Sequence, residues 1–167
     1  RSAVRSVSLM SRRVMSRMRS SRSTSLVARR GSGAPASLTS ADLDGNGYAD
    51  VAVANSESNT VSVLLNLGNG TFGPDRQYPV GAIPRSVTST DLDGNGDRDL
   101  VVANFGSNTV SVLLNQGLGT FGLPTQYDVG AFPESVTSAD LDGDGDLDLA
   151  TANSGSSSVS VLLNTCQ

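Results

Sequence analysis

Asp42-Leu43-Asp44-Gly45-Asn46-Gly47-Tyr48-Ala49-Asp50 is a nine-residue stretch that the chain writes three times. It returns as Asp91-Leu92-Asp93-Gly94-Asn95-Gly96-Asp97-Arg98-Asp99, and again as Asp140-Leu141-Asp142-Gly143-Asp144-Gly145-Asp146-Leu147-Asp148. Each copy carries oxygen side chains at positions 1, 3, 5 and 9, with glycine at 4 and 6. Carboxylates and amides in a short loop, with glycines that permit sharp turns, are how a chain wraps a hard cation. Position 7 (Tyr48, Asp97, Asp146) is expected to contribute its backbone carbonyl, which leaves its side chain free to vary. An all-oxygen protein cage suits calcium better than magnesium, so up to three calcium ions are expected. Asp-Gly and Asn-Gly are also ordinary turn residues. Metal-free turns, however, would crowd mutually repelling carboxylates three times over in one register.

The loop is not an EF-hand, which needs Glu at position 12 and flanking helices. Position 12 is Val53, Val102 or Thr151, and each loop leads into a strand-like run: Val51 to Asn55, Leu100 to Asn104, Leu149 to Asn153. A calcium loop that joins two strands is a different device.

Outward from the loops the chain repeats with a period of 49 residues. Pro35-Ala36-Ser37-Leu38-Thr39-Ser40-Ala41 matches Pro84 to Thr90 and Pro133 to Ala139, and Asn66, Asn115 and Asn164 keep the same spacing. Repeats are therefore expected over 35–83, 84–132 and 133–167, the last truncated. One period reads as four short strands: Ser86 to Leu92, Leu100 to Asn104, Thr109 to Asn115, and about Thr125 to Val129. In the third, Val110, Val112 and Leu114 alternate with Ser111, Leu113 and Asn115, a strand pattern. Four antiparallel strands in a period of this size mark a β-propeller blade. The expected fold class is all-β, a tandem array of such blades, incomplete or open.

These residues resemble the FG-GAP / VCBS-like repeat family, seen in integrin alpha-chain propellers and many bacterial surface proteins. Phe72-Gly73 is followed by Gly81-Ala82-Ile83-Pro84, and Phe121-Gly122 by Gly130-Ala131-Phe132-Pro133. The family's calcium loop, D-x-D-G-x-G-x-x-D, is matched at all three sites over a resemblance that covers residues 35–167. The resemblance implies calcium-binding blades, an extracellular or cell-surface location, and work in adhesion or in recognition of a protein or glycan. Family propellers usually close with about seven blades. This chain has two full periods and a third that stops at Asn164, before its Phe-Gly. A fragment, an assembly of chains, or an open stack each fit that count. Apolar side chains expected at the unpartnered ends are Leu38, Val61 and Val63 in the first blade and Val136, Val159, Val161 and Leu163 in the last.

Charge separates two parts of the 167-residue chain. Residues 1–34 hold nine of the twelve arginines and no acid, while the remainder carries a net −13. The first segment is expected to be an Arg/Ser-rich leader outside the repeats. It lacks the continuous apolar core of a secretory signal. The acidic repeats carry no nucleic-acid signature, and no apolar run reaches the length of a membrane span. Cys166 is the only cysteine and builds no disulfide framework. Asn69-Gly70-Thr71 is a glycosylation triplet, of a kind common by chance.

Enzymatic function is the weakest class. The chain has no histidine and no lysine, and outside the loops only Glu57, Asp75, Asp128 and Glu134 remain as carboxylates. The expected function is a non-catalytic, calcium-binding extracellular module for adhesion or protein/glycan interaction. The first alternative is a structural subunit that assembles with copies of itself through open blade ends. The second is a non-catalytic propeller portion of a larger secreted enzyme.

Overall fold

The structure is a computed structural model and describes residues 33–165. The segment read as a leader lies, up to residue 32, outside the described residues, as does Cys166. Among the described residues there are eleven strands and no helix. They form three antiparallel sheets, each built from strands in sequence order. The first holds β1 (Pro35–Ala41), β2 (Asp50–Asn55), β3 (Thr60–Leu64) and β4 (Arg76–Pro79). The second holds β5 (Pro84–Thr90), β6 (Asp99–Asn104), β7 (Thr109–Leu113) and β8 (Thr125–Asp128). The third has only β9 (Pro133–Ala139), β10 (Asp148–Asn153) and β11 (Ser158–Leu162). Register repeats with the sequence: Val51 pairs Leu64, Leu100 pairs Leu113, and Leu149 pairs Leu162. This is the expected array of propeller-type blades.

Two of the strand ends that differ from the sequence reading share one cause. The first strand of the second sheet stops at Thr90 rather than Leu92, and the third stops at Leu113 rather than Asn115. One residue causes both. The buried Asp99 carboxylate accepts the Leu92 N–H at 2.8 Å on Oδ2 and the Asn115 N–H at 2.8 Å on Oδ1. Those amides are withdrawn from the ladder. Leu114 therefore lies past the strand and is exposed.

The core lies between sheets. Ala52, Ala54, Val61 and Val63 of the first sheet meet Val87, Leu100, Val102 and Leu113 of the second. Val101, Ala103 and Val110, on the opposite face of the second sheet, meet Val136 and Leu149 of the third. A strand covered on both faces needs no polar side, so β6 reads as a continuous apolar run, Leu100-Val101-Val102-Ala103. The packing also corrects the sequence expectation for the ends. Val61, Val63 and Val136 are buried between blades, whereas Leu38, Val159, Val161 and Leu163 are exposed. Direction decides this: Val61 and Val63 point forward to the next blade and Val136 points back to the previous one.

The links between blades carry backbone strain. Ile83 and Phe132 sit at φ 50° and 57°, a region that bulky side chains avoid. The turn of the preceding blade holds each one: Asn59 Oδ1 accepts the Ile83 N–H at 2.8 Å, and Asn108 Oδ1 accepts the Phe132 N–H at 2.9 Å. Asn59 and Asn108 are themselves at φ 55° and 57°, a conformation that asparagine tolerates. In the third blade Ser157 takes that position at φ 50°. Ser157→Asn is expected to stabilise the chain by about 0.5–1 kcal/mol, read as a rise in urea midpoint at constant slope. An unchanged or lower midpoint contradicts this account of the turn.

Candidate metal centres

Each acidic loop joins the first two strands of its sheet. Its glycines are required by backbone, not by crowding. Gly45 and Gly47 lie at φ 76° and 84°, yet a Cβ at either would meet nothing within 4 Å. The carboxylate at position 1 curls the loop around itself. Asp42 Oδ1 accepts the N–H groups of Gly45 at 2.9 Å and Asn46 at 3.2 Å, and its Oδ2 accepts that of Gly47 at 2.8 Å. Asp140 likewise accepts from Gly143 at 2.7 Å and Gly145 at 3.2 Å. In the second loop Asp91 Oδ2 accepts from Gly96 at 3.0 Å, while Oδ1 is buried with no hydrogen-bond partner.

Position 9 fastens the loop to the sheet. Asp50, Asp99 and Asp148 are fully buried. Asp50 accepts N–H groups from Leu43 at 2.8 Å and Asn66 at 2.6 Å. Asp148 accepts them from Leu141 and Asn164, both at 2.8 Å. Positions 1, 3 and 9 then converge. Asp42, Asp44 and Asp50 bring one carboxylate oxygen each to within 4.8 Å of one another, as do Asp91, Asp93 and Asp99, and Asp140, Asp142 and Asp148.

The acidic side chains at positions 5 and 7, those of Asp97, Asp144 and Asp146, lie outside these triads. Asn46, Asn95 and Asp144 each accept the N–H of position 7, at 2.8, 2.7 and 2.9 Å. Asn46 Nδ2 also donates to Asp44 Oδ2 at 3.1 Å, and Asn95 Nδ2 to Asp93 Oδ2 at 3.1 Å. The Tyr48 ring covers Gly68, where a Cβ would approach its Cε2 to 2.7 Å. The side chains of Asp97 and Asp146 join neither triad.

Three residues with a part in the site carry no role on sequence alone: Asn66, Asn115 and Asn164. Their side chains tie the site to its surroundings. Asn115 Nδ2 donates to Leu43 O of the previous blade's loop at 2.8 Å, and Asn164 Nδ2 donates to Leu92 O at 2.7 Å. The signal was present as a fixed offset of 16 residues from position 9 in every repeat.

The electrostatics reflect crowding. Burial pushes Asp99 up, against the lowering effect of the Asn115 and Leu92 amides, and the charges of Asp93 and Asp91 add to the rise. The Asp144 amide pulls Asp142 down, but lost hydration and the carboxylates of Asp144 and Asp148 outweigh it, and Asp142 is raised. Asp148 is lowered, chiefly by the Asn164 and Leu141 amides. Three oxygen-only triads fit a hard divalent cation, and in the second the raised Asp99 and the orphaned Asp91 Oδ1 add to that fit. Calcium, if bound, supplies positive charge that relieves this repulsion. The residues that would hold it are the three triads, with the position-5 side chain and the position-7 backbone carbonyl as the remaining candidate ligands.

Comparison with known proteins agrees with this geometry. No curated protein matches the chain. Among solved structures, hydrazine synthase of Kuenenia stuttgartiensis superposes with a TM-score of 0.55 at 20% identity, over 83% of this chain and 35% of that one. A functionally unknown protein from Desulfotomaculum acetoxidans DSM 771 gives 0.52 at 22% identity, over 75% and 40%. The Photorhabdus luminescens Tc holotoxin pore gives 0.50 at 25% identity, over 78% and 6%. The chain thus spans less than half the length of each, and the first two likenesses concern fold alone. The FG-GAP-like repeat model matches residues 42–102 and 91–151. Those two matches run across all three acidic loops and most of the described sheets, and the chain belongs to the FG-GAP-like repeat family.

Proposed function

We propose that the chain is a calcium-binding extracellular repeat module that recognises a protein or glycan and catalyses nothing. The observation that carries the metal reading is threefold: the same oxygen triad recurs within 4.8 Å in every repeat. Asp91 Oδ1, buried without any donor, is the atom that a cation would satisfy. Extracellular calcium is abundant enough to fill modest-affinity loops. The module reading gains support from the family, and the absence of histidine and lysine removes the commonest acid/base and Schiff-base chemistry. Titration calorimetry with calcium is expected to show three sites, with magnesium binding far more weakly. Equal magnesium affinity, or no calcium heat, overturns the reading. Calcium-dependent retention on a glycan or cell-surface protein array, lost on chelation, tests the recognition step.

A second reading, assembly with copies of itself, is favoured by the outer blades. Between neighbouring blades Ser37 Oγ accepts the Val87 N–H and Ser86 Oγ accepts the Val136 N–H, both at 3.4 Å. The equivalent groups at the ends are Leu38 N–H on the first blade and Ser135 Oγ on the third. Among the described residues neither has a blade to meet. Leu38 is 66% exposed and Val159 68% exposed, although their equivalents Val87 and Val110 are buried. Head-to-tail stacking would repeat an interface the chain already makes twice. Sedimentation in calcium is expected to show concentration-dependent association that Val161→Asp abolishes. A monomer at high concentration excludes this second reading. The propeller part of a larger secreted enzyme remains a third reading, to which the hydrazine synthase likeness lends the fold only.

A further inference from the structure

We propose that the metal loops of neighbouring blades are energetically coupled through a hydrogen-bonded relay across the blade interfaces, a coupling that rests on the calcium reading above. Calcium at one loop then raises the affinity of the loop before it.

The relay starts at position 2 of the loop. Leu43 lies between Asp42 and Asp44, two members of the first triad, so its backbone sets where both carboxylates stand. Its N–H is donated to Asp50 Oδ2 at 2.8 Å within its own loop. Its carbonyl accepts Asn115 Nδ2 at 2.8 Å from the second blade. The Asn115 N–H is donated to Asp99 Oδ1 at 2.8 Å, and Asp99 Oδ2 accepts the Leu92 N–H at 2.8 Å. The pattern then repeats. Leu92 O accepts Asn164 Nδ2 at 2.7 Å, and the Asn164 N–H is donated to Asp148 Oδ1 at 2.8 Å. The three buried position-9 carboxylates are thereby joined end to end.

Asn115 has no slack in this relay. Its Nδ2 also donates to Arg98 O at 3.0 Å, its Oδ1 accepts the Gly117 N–H at 3.0 Å, and the residue is 4% exposed. It cannot swing away from Leu43 without leaving buried polar groups unpaired. The Leu43 side chain is itself buried with Val87, Leu100 and Leu113 of the second blade. That blade also lies against Asp44: a Cβ on Gly119 would come within 3.4 Å of Asp44 Cβ. The serine bonds between blades, at 3.4 Å, are longer and weaker links.

A loop that closes on an ion loses conformational freedom. With the second loop filled, Asp99 is fixed, and so are Asn115 and Leu43. Part of the ordering that the first loop needs is then already done. Linkage makes the effect reciprocal. The array fills over a narrower span of calcium concentration than separate loops would.

The test is a double-mutant cycle on the full chain, read by amide NMR during calcium titration. Gly45 and Gly47 report the first loop. Asp93→Asn, which removes a ligand of the second loop, is expected to weaken calcium at the first loop about tenfold. In an Asn115→Ala background, which keeps the N–H that Asp99 accepts, the same change is expected to move the first loop by no more than roughly twofold. A through-space effect of the lost charge would persist in that background. Slow amide exchange along β6 shows that the chain is folded. Should Asn115→Ala unfold it, Asn164→Ala with Asp142→Asn, reported by Gly94 and Gly96 of the second loop, decides in the same way. A first loop indifferent to Asp93→Asn overturns the coupling while calcium still binds. An effect of Asp93→Asn that is undiminished by Asn115→Ala overturns the relay. Absence of calcium binding at every loop defeats the calcium reading, and the coupling with it.

Discussion

Chelation of calcium is expected to lower the melting temperature of the chain by about 10 °C or more. A site that binds only the folded state stabilises it by roughly 2.7 kcal/mol at a hundredfold excess over Kd. In a domain of this size each kcal/mol moves the melting temperature by roughly 3–5 °C. Three triads therefore act together on one cooperative array. The gap between calcium and chelator should also narrow as pH falls from 7 toward about 4. Asp99 and Asp142 are raised, so they hold protons more tightly folded than unfolded. Without metal, the folded chain gains stability as pH drops through their raised values. Asp148 has the opposite sign: its contribution is present above the ordinary aspartate value of 3.8 and is lost only as pH falls below it, through the folded value. With metal, protons compete with the ion for the same oxygens, and stability falls. Melting curves by circular dichroism at several pH values check both parts. A melting temperature indifferent to chelator at pH 7 contradicts the metal reading.

The period and the loops made the blade legible in the sequence. Glycines at positions 4 and 6, valines alternating through β7, and a proline opening β5 and β9 are local signals, and local signals survive in one dimension. Strand ends were not legible, because they depend on a contact across the sheet. Nothing next to Leu92 or Asn115 says that Asp99 will take both amides. The direction in which a blade packs was hidden for the same reason. Val61 and Leu38 look alike as alternating apolar residues, yet Val61 faces the next blade and Leu38 faces the side where no described blade lies. Within the loop, positions 1, 3, 5, 7 and 9 have equal standing as ligands on spacing alone. Folding gathers the carboxylates of 1, 3 and 9 and gives the position-5 oxygen the position-7 N–H to accept. The spacing of Asn115 from Asp99 was visible, but its partner Leu43 O lies 72 residues away.

The same geometry predicts different costs for two aspartates in one loop. Asp99→Ala is expected to destabilise the chain by about 3–5 kcal/mol even in chelator. Asp99 is fully buried, and its loss orphans the Leu92 and Asn115 amides together. The loop would then be detached from the end of β7, and with it the side chain that reaches back to Leu43. Asp99→Asn should also destabilise, because its amide nitrogen would face one of two N–H donors. Asp93→Asn should behave otherwise. Asp93 is exposed and accepts only from Asn95, at 3.2 Å from the backbone and 3.1 Å from the side chain. Asparagine keeps one of those acceptors and removes a charge that helps to raise Asp99. In chelator its effect should stay within roughly 0.5 kcal/mol, while calorimetry in calcium should lose one of three sites. Urea unfolding of both variants, with and without calcium, separates the roles. If Asp99→Ala costs no more than Asp93→Asn in chelator, position 9 is a ligand and not the fastening of the loop. If Asp93→Asn leaves three sites, the triads are not where the ion binds.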